Sequence, residues 1–428
     1  MNKFKEMAVK YDASDELASF RQQFLIPKHE GADIYYFCGN SLGLQPVRTR
    51  EYILRELDHW AENGVEGHFR GTMPWKDYHH FFKAQMADLV GATPQEVVLM
   101  NTLTTNLHLM MVSFYRPTPT RFKILVEGGA FPSDQYAVET QAKFHGYNPD
   151  EAVVELHPRK GEFNLRPQDI LDRIQDLGDS LALIMIGGVN YYTGQLFDME
   201  AITKAGHQVG AVAGFDLAHA AGNVKLNLHQ WGVDFAVWCT YKYLNSGPGG
   251  PGGCFVHERH SENPDLPRFA GWWGHHEAER FLMKKGFIPM PGADAWQLSN
   301  AQILAMSAHK ASLDLLSETT IEQRHNKAQK LWSFAVEMLD DIMAQHPNWL
   351  QIITPRAANE HGCQISLLTN DQGRKLFDYL SEKGVITDWR EPNVIRLAPV
   401  PLYNSFNDVY QFAFHLKQAI ESTLTANN

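Results

Sequence analysis

Residues 233–258 read VDFAVWCTYKYLNSGPGGPGGCFVHE. Two short apolar runs, "VDFAVWC" and "GGCFVHE", flank a turn that sets one lysine between two tyrosines and then dissolves into glycine and proline. Four similar runs lie upstream: "EVVLM" ending at Met100, "FKILVE" at Glu127, "LALIMIGG" at Gly188 and "VGAVAGF" at Phe215. Such short runs, rich in Val and Ile and bounded by Gly, Asn or Asp, predict strands buried on both faces. They predict a mostly parallel sheet flanked by helices, an α/β domain over residues 45–300.

Beyond residue 300 the pattern changes. "NAQILAMSAHKASLDLL" and "IEQRHNKAQKLWSFAVEMLDDIMAQ" carry apolar residues at helical spacing. "CQISLLT" and "NVIRLAP" read as strands, and "FNDVYQFAFHLKQAIESTL" as a closing amphipathic helix capped by Ser405 or Asn407. Residues 301–428 are expected to form a smaller α+β domain, with residues 1–44 packing against it.

The chain has 428 residues, 44% hydrophobic and 20% charged, as expected of a globular enzyme with a substantial core. A formal charge of -11 argues against a nucleic-acid surface and leaves small molecules or a second copy as partners. Cys38, Cys239, Cys254 and Cys363 form no CxxC pair, so neither a disulfide framework nor a zinc cluster is expected. The N-terminus lacks an apolar signal core and no segment approaches a membrane span, from which a cytoplasmic location is expected.

The chemistry-bearing residues fall just past strand ends, the edge where open α/β sheets bind ligands. An amine such as that of Lys242, set beside aromatic groups, is the nucleophile that a Schiff base with pyridoxal 5'-phosphate requires. A strand-end lysine is also an ordinary solvated residue, but the glycines after it let the backbone approach a ligand closely. Asp216 ends "VGAVAGFD", where an aspartate either caps a turn or holds the proton on a pyridine nitrogen. His219 is near enough in sequence to hydrogen-bond that aspartate or the cofactor. Thr104, Thr105 and Asn106 open a helix whose free amides suit a phosphate, unless the threonines act only as caps. In "AFPSD", Phe131 offers an aromatic face for a flat cofactor and Asp134 an acid close by.

Together "TLTTNLHL", "FPSD", "FDLAHAAGN", "WGVDFAVWCTYKYLNSGPGG", "GWWGH" and "RLAPVPLYNSF" resemble the kynureninases, fold-type I pyridoxal-phosphate enzymes of tryptophan breakdown. The similarity runs from "GNSLGLQP" to the final helix. It implies a homodimer with sites at its interface, hydrolysing kynurenine or 3-hydroxykynurenine to anthranilate or 3-hydroxyanthranilate plus alanine. Lys242 is then the Schiff-base lysine and Asp216 the ring-nitrogen partner, with His219 nearby. Leu103 and Thr104 lie at the phosphate, and Phe131, Pro132, Ser133 and Asp134 form a cofactor-binding segment with Phe131 over the ring. Tyr241 reaches the phosphate and is the candidate proton carrier. Trp272 and Asn300 complete the cofactor site, in such dimers from the neighbouring subunit. Arg396 grips the substrate carboxylate, for which a planar two-pronged donor is suited. His68, Ser41 and Asn300 match positions near the substrate ring in relatives preferring the hydroxylated substrate, so 3-hydroxykynurenine is expected to be accepted.

An aminotransferase or a cysteine desulfurase would share the lysine and the aspartate. A desulfurase needs a reactive cysteine on a mobile loop, whereas Cys363 opens an apolar run. An inert binding module of the same fold is expected to lose the lysine, the aspartate or the arginine, and this chain keeps all three. The pairs His79–His80 and His275–His276 invite a metal reading. Neighbouring histidines on a helix point about 100° apart, and no metal is expected.

Overall fold

The computed structural model describes residues 1–427 apart from Glu262 and Pro264. Its centre is a seven-stranded sheet: β1 (Val97–Met100), β2 (Lys123–Glu127), β3 (Val153–Leu156), β4 (Leu181–Gly187), β5 (Val212–Asp216), β6 (Phe235–Cys239) and β7 (Gly252–Val256). The strand order is β1-β7-β6-β5-β4-β2-β3. β7 runs antiparallel to both of its neighbours, and the other four pairings are parallel.

Alternation along the strands explains the unbroken apolar runs. Val98, Val126, Met185, Val237 and Cys254 enter one hydrophobic cluster, while their neighbours Leu99, Leu125, Ile186, Trp238 and Phe255 enter another on the opposite face. On the first face lie α3 (Leu103–Phe114) and α4 (Pro132–Phe144), through Leu107, Met110, Phe114 and Val138. Helices Pro167–Leu177 and Met199–Gln208 cover the second face. Close strand contact uses glycine: a Cβ on Gly253, directly across from Trp238, would come within 2.0 Å of the indole.

The strand β3 was not among the runs read from sequence. It is an edge strand with an exposed Glu155, and it follows the Asn148–Pro149 turn, so its "VVEL" lacks the continuous apolar signature of a buried strand.

The rest of the chain builds a second core. Helix α1 (Asn2–Ala13), α6 (Ile321–Gln345), α7 (Gly373–Glu382) and α8 (Phe406–Asn427) surround the antiparallel sheet of β8 (Leu350–Ile352), β9 (Ile365–Thr369), β10 (Asp388–Arg390) and β11 (Val394–Leu397). Phe4, Ala8 and Phe37 of the N-terminal segment belong to this core. Helix α5 (Ile303–Leu316) instead packs on α2 (Thr49–Asn63), and its Met306, Leu313 and Leu316 join the core of the large sheet. Ser405 caps α8 by accepting from the Asp408 amide at 3.0 Å, and Asp12 of α1 accepts from the next two free amides, those of Phe406 and Asn407.

Candidate active site

Strands β2, β4, β5 and β6 run in the same direction, so Glu127, Gly187, Asp216 and the turn after Cys239 all finish on one edge of the sheet. There a cavity of about 220 Å³ is lined by Leu103 and Thr104, by Glu127, Phe131, Ser133 and Asp134, by Tyr191, and by Asp216, His219, Tyr241 and Lys242. Nine of the residues expected from sequence therefore meet in one place.

Lys242 Nζ lies 2.9 Å from His219 Nε2 and 5.9 Å from the centroid of the Phe131 ring. Burial, and next the neighbouring Lys242 charge, hold His219 well below the usual imidazole range, so the ring is neutral. Its other nitrogen, Nδ1, is buried without a partner. Asp216 accepts from the Ala218 amide at 2.7 Å and pairs with Asp134. Burial, and then the charge of Asp216, raise the Asp134 carboxyl well above the carboxylate range, so Asp134 carries the proton and donates to Asp216. Burial also pushes the Tyr241 phenol up, leaving it a proton donor at neutral pH.

The α3 terminus completes the cavity. Thr102 occupies the cap position but makes no side-chain cap bond, so the first-turn amides beside Leu103 and Thr104 remain free for an anion. The Asn106 side chain is not available there: it donates to the Met100 carbonyl at 2.9 Å and accepts from Asn101 at 3.0 Å, closing the turn between β1 and α3. Pro132 occupies the first turn of α4, where its missing N–H is harmless.

These residues fit pyridoxal 5'-phosphate. A lone amine, an acid pair needing a cation, an aromatic face, an unpartnered imidazole nitrogen and an uncapped helix end share a cavity of small-molecule size.

Ser41 is exposed on an otherwise largely buried segment anchored to the lysine turn, where the Gly43 amide donates to the Tyr241 carbonyl at 2.8 Å. Arg396 is 1% exposed; it reaches the cavity wall by donating to the Tyr191 carbonyl, and it also pairs with Asp388. Like Ser41 and Arg396, the expected residues Pro132, Thr105, Asn106, Trp272, Asn300 and His68 are not among those lining the cavity. Trp272 is 48% exposed and donates to the Arg280 carbonyl, Asn300 is exposed, and His68 rests edge-on against Trp75 at 5.4 Å.

Sequence reasoning missed Glu127 and Tyr191. Glu127 had a signal, since a carboxylate closing an apolar run is unusual. Tyr191 had none, because it stands on an irregular loop and meets Phe131 only in space, edge-on at 5.2 Å.

All four cysteine thiols are pushed up by burial, Cys363 to about 12, so none is the thiolate nucleophile of a desulfurase. Among the described residues, two groups bring histidines and a carboxylate within 4.8 Å, His79–His80–Asp294 and Glu96–His229–His257. Both carboxylates are already engaged. Asp294 accepts from Lys83 Nζ at 2.6 Å, and Glu96 from the Thr93 and Glu258 amides and His229.

Among solved structures, a cysteine desulfurase from Thermococcus onnurineus superimposes with a TM-score of 0.74 at 17% identity, over 91% of this chain and 95% of that one. The cystine C–S lyase C-DES gives 0.73 at 16%, over 90% and 98%. This likeness is one of fold. In sequence, residues 325–416 match the kynureninase C-terminal domain family. A kynureninase from Flavobacterium psychrophilum is 53% identical over 97% of this chain and 98% of its own length. One from Nematostella vectensis is 47% identical over 99% and 95%. With such identity maintained from end to end and the cavity residues assembled as described, the chain belongs to the kynureninase family.

Proposed function

We propose that this chain hydrolyses L-kynurenine, and its 3-hydroxylated form, to anthranilate or 3-hydroxyanthranilate and L-alanine, with pyridoxal 5'-phosphate carried on Lys242. The observation that carries the assignment of roles is the convergence of Lys242, Asp216, Asp134 and Phe131 on one cavity beside the free amides of α3. Bound there, the cofactor supplies an electron sink for the pair released at the substrate α-carbon.

The protein's part is to bind, orient and move protons. Burial raises the Asp216 carboxyl, while the Ala218 amide, the Lys242 charge and the proton on Asp134 favour its anion, which would hold the proton on the ring nitrogen. The Lys242 amine would hold the cofactor and, when free, would take the substrate α-proton, with His219 orienting its Nζ from 2.9 Å. Tyr241, beside the lysine and protonated, is the donor for the developing γ-oxyanion. Water adds to the γ-carbonyl, the Cβ–Cγ bond breaks, the aryl carboxylate departs and the three-carbon remainder takes up a proton as alanine. Arg396 holds the substrate α-carboxylate.

The likeness to kynureninases supports a homodimer in which Trp272 and Asn300 serve the other protomer's site. The exposure of Trp272, Phe269, Phe281, Leu282 and Met283 fits a surface that a second copy covers. Among the described residues no helix is long and apolar enough to cross a membrane.

Incubation of the purified holoenzyme with L-kynurenine should yield anthranilate and alanine in equal amounts. Lys242→Ala should lose the visible absorbance of the attached cofactor together with turnover, and unimpaired activity would overturn the assignment. Comparing kcat/KM for kynurenine and 3-hydroxykynurenine tests the aryl preference, which a clear bias toward the unsubstituted substrate would reject.

A further inference from the structure

Strand register collects three charged side chains on one face of the small sheet. Asp388 stands directly across from Arg396, and Arg390 lies two residues further along β10, so alternation points all three the same way. The intervening Trp389 and its partner Ile395 point to the other face, into the second core. Ser366, the other cross-strand neighbour of Arg396, donates to the Tyr192 carbonyl at 2.7 Å, which identifies the charged face as the one turned toward the cavity loop.

Both guanidinium groups use the same carboxylate oxygen. Arg396 Nη2 donates to Asp388 Oδ2, and Arg390 Nη2 lies 3.2 Å from that atom. Alone, Asp388 would cancel the charge of Arg396 and leave a neutral pair with little pull on an anion. With Arg390 present the three groups sum to +1. Arg396 Nε and Arg390 Nε are both buried without partners, so the cluster has donors to spare as well as charge.

We propose that Arg390 is a specificity-determining residue for the substrate α-carboxylate: it offsets the charge that Asp388 takes from Arg396, so that Asp388 positions Arg396 without disarming it. The inference rests on the reading of Arg396 as the carboxylate-binding residue. It adds that recognition is the property of a three-residue charge cluster.

Calorimetric titration of the holoenzyme with the product L-alanine and with L-alaninamide tests it. Each protein gives an acid-to-amide affinity ratio, and comparing ratios between variants cancels the different basicity of the two amines. Arg390→Met should lower the ratio about tenfold, the scale of one charge acting at short range across partly screened protein. Asp388→Asn/Arg390→Met returns the net charge to +1 and should recover most of the ratio, and Arg390→Lys should keep it. The same order should appear in KM for kynurenine, with kcat changing much less. A purely structural Arg390 would lower stability and leave the ratio unmoved.

An unchanged ratio in folded Arg390→Met, or a double variant no better than the single one, would overturn the inference. If Arg390→Met does not fold, loss of the ratio in Arg390→Lys would do the same. Arg396→Met separates the two levels. If it too leaves the ratio unchanged, the carboxylate reading of Arg396 fails; if it abolishes the ratio while Arg390→Met does not, only the inference fails.

Discussion

Replacing Glu127 by glutamine should make the apoprotein more stable at alkaline pH. Glu127 ends β2 with both carboxylate oxygens within 3.2 Å of the Gly187 amide, and burial, then the nearby charge of Asp216, push its pKa from 4.5 to about 7. The unfolded chain releases that proton near pH 4.5 while the folded chain keeps it to about 7. Between those values the native state therefore binds more protons, and stability falls as pH rises. Below the window both states are protonated and the residue costs nothing; above it the accumulated cost is ~3 kcal/mol. Glutamine retains a carbonyl oxygen for the Gly187 amide and has no charge to bury. Urea unfolding of apoprotein, followed by tryptophan fluorescence, should give similar midpoints for wild type and Glu127→Gln near pH 5. The variant should be the more stable above pH 8. Parallel pH profiles for the two proteins would refute the reasoning, because they would mean that Glu127 titrates alike in the folded and unfolded chain.

Asp134 already carries a proton, so Asp134→Asn preserves a neutral donor to Asp216 and should retain turnover within about tenfold, whereas Asp216→Asn should lose at least ~10²-fold; steady-state kinetics on kynurenine compare them. Mixing Lys242→Ala with Trp272→Ala, each inactive alone, should restore part of the activity if Trp272 serves the neighbouring site, and no recovery under subunit exchange would reject shared sites. The hydrogen bond to Glu96 raises the His229 pKa above its usual value. Its contribution is complete below about pH 6.5 and fades as pH rises through the raised value, so the stability gap between wild type and His229→Gln should be widest in mild acid and shrink toward alkaline pH.

Central strands were legible because burial on both faces writes an unbroken apolar run, and the edge strand β3 was not because half of it faces water. Lys242 and Asp216 could be singled out because chemistry in this architecture sits at strand ends, a place that sequence marks with abrupt changes of polarity. The capping alternative for Thr104 and its neighbours could not be decided from residue types. It turns on whether a side chain at the cap takes a first-turn amide, and Thr102 does not, its hydroxyl meeting that of Thr105 at 3.4 Å instead. Arg396 was visible only through family resemblance, since an arginine in "NVIRLAP" looks like any charged residue on the outer face of a strand. What makes it special is the register that sets Asp388 opposite, and register is a property of the folded sheet.

The separation of Arg396 from Lys242 follows from a feature that no local pattern announces. Three successive carbonyls of the loop after β4 accept hydrogen bonds from the small domain: Tyr191 from Gln364 at 3.0 Å and from Arg396, Tyr192 from Ser366 at 2.7 Å, and Thr193 from Thr354 at 2.6 Å. Leaving such buried carbonyls unpaired costs roughly 1–3 kcal/mol each, so the loop admits one seating of the small sheet and penalises any slip. The Tyr191 ring meanwhile lines the cavity and packs edge-on against Phe131, the residue whose ring centroid lies 5.9 Å from Lys242 Nζ. Arg396 and Lys242 are thus spaced by a loop whose carbonyls are hydrogen-bonded to the small domain on one side and whose Tyr191 ring packs against Phe131 on the other. In the mechanism proposed above, which grips one end of an amino acid while working on bonds two carbons away, that spacing would keep the α-hydrogen within reach of the lysine.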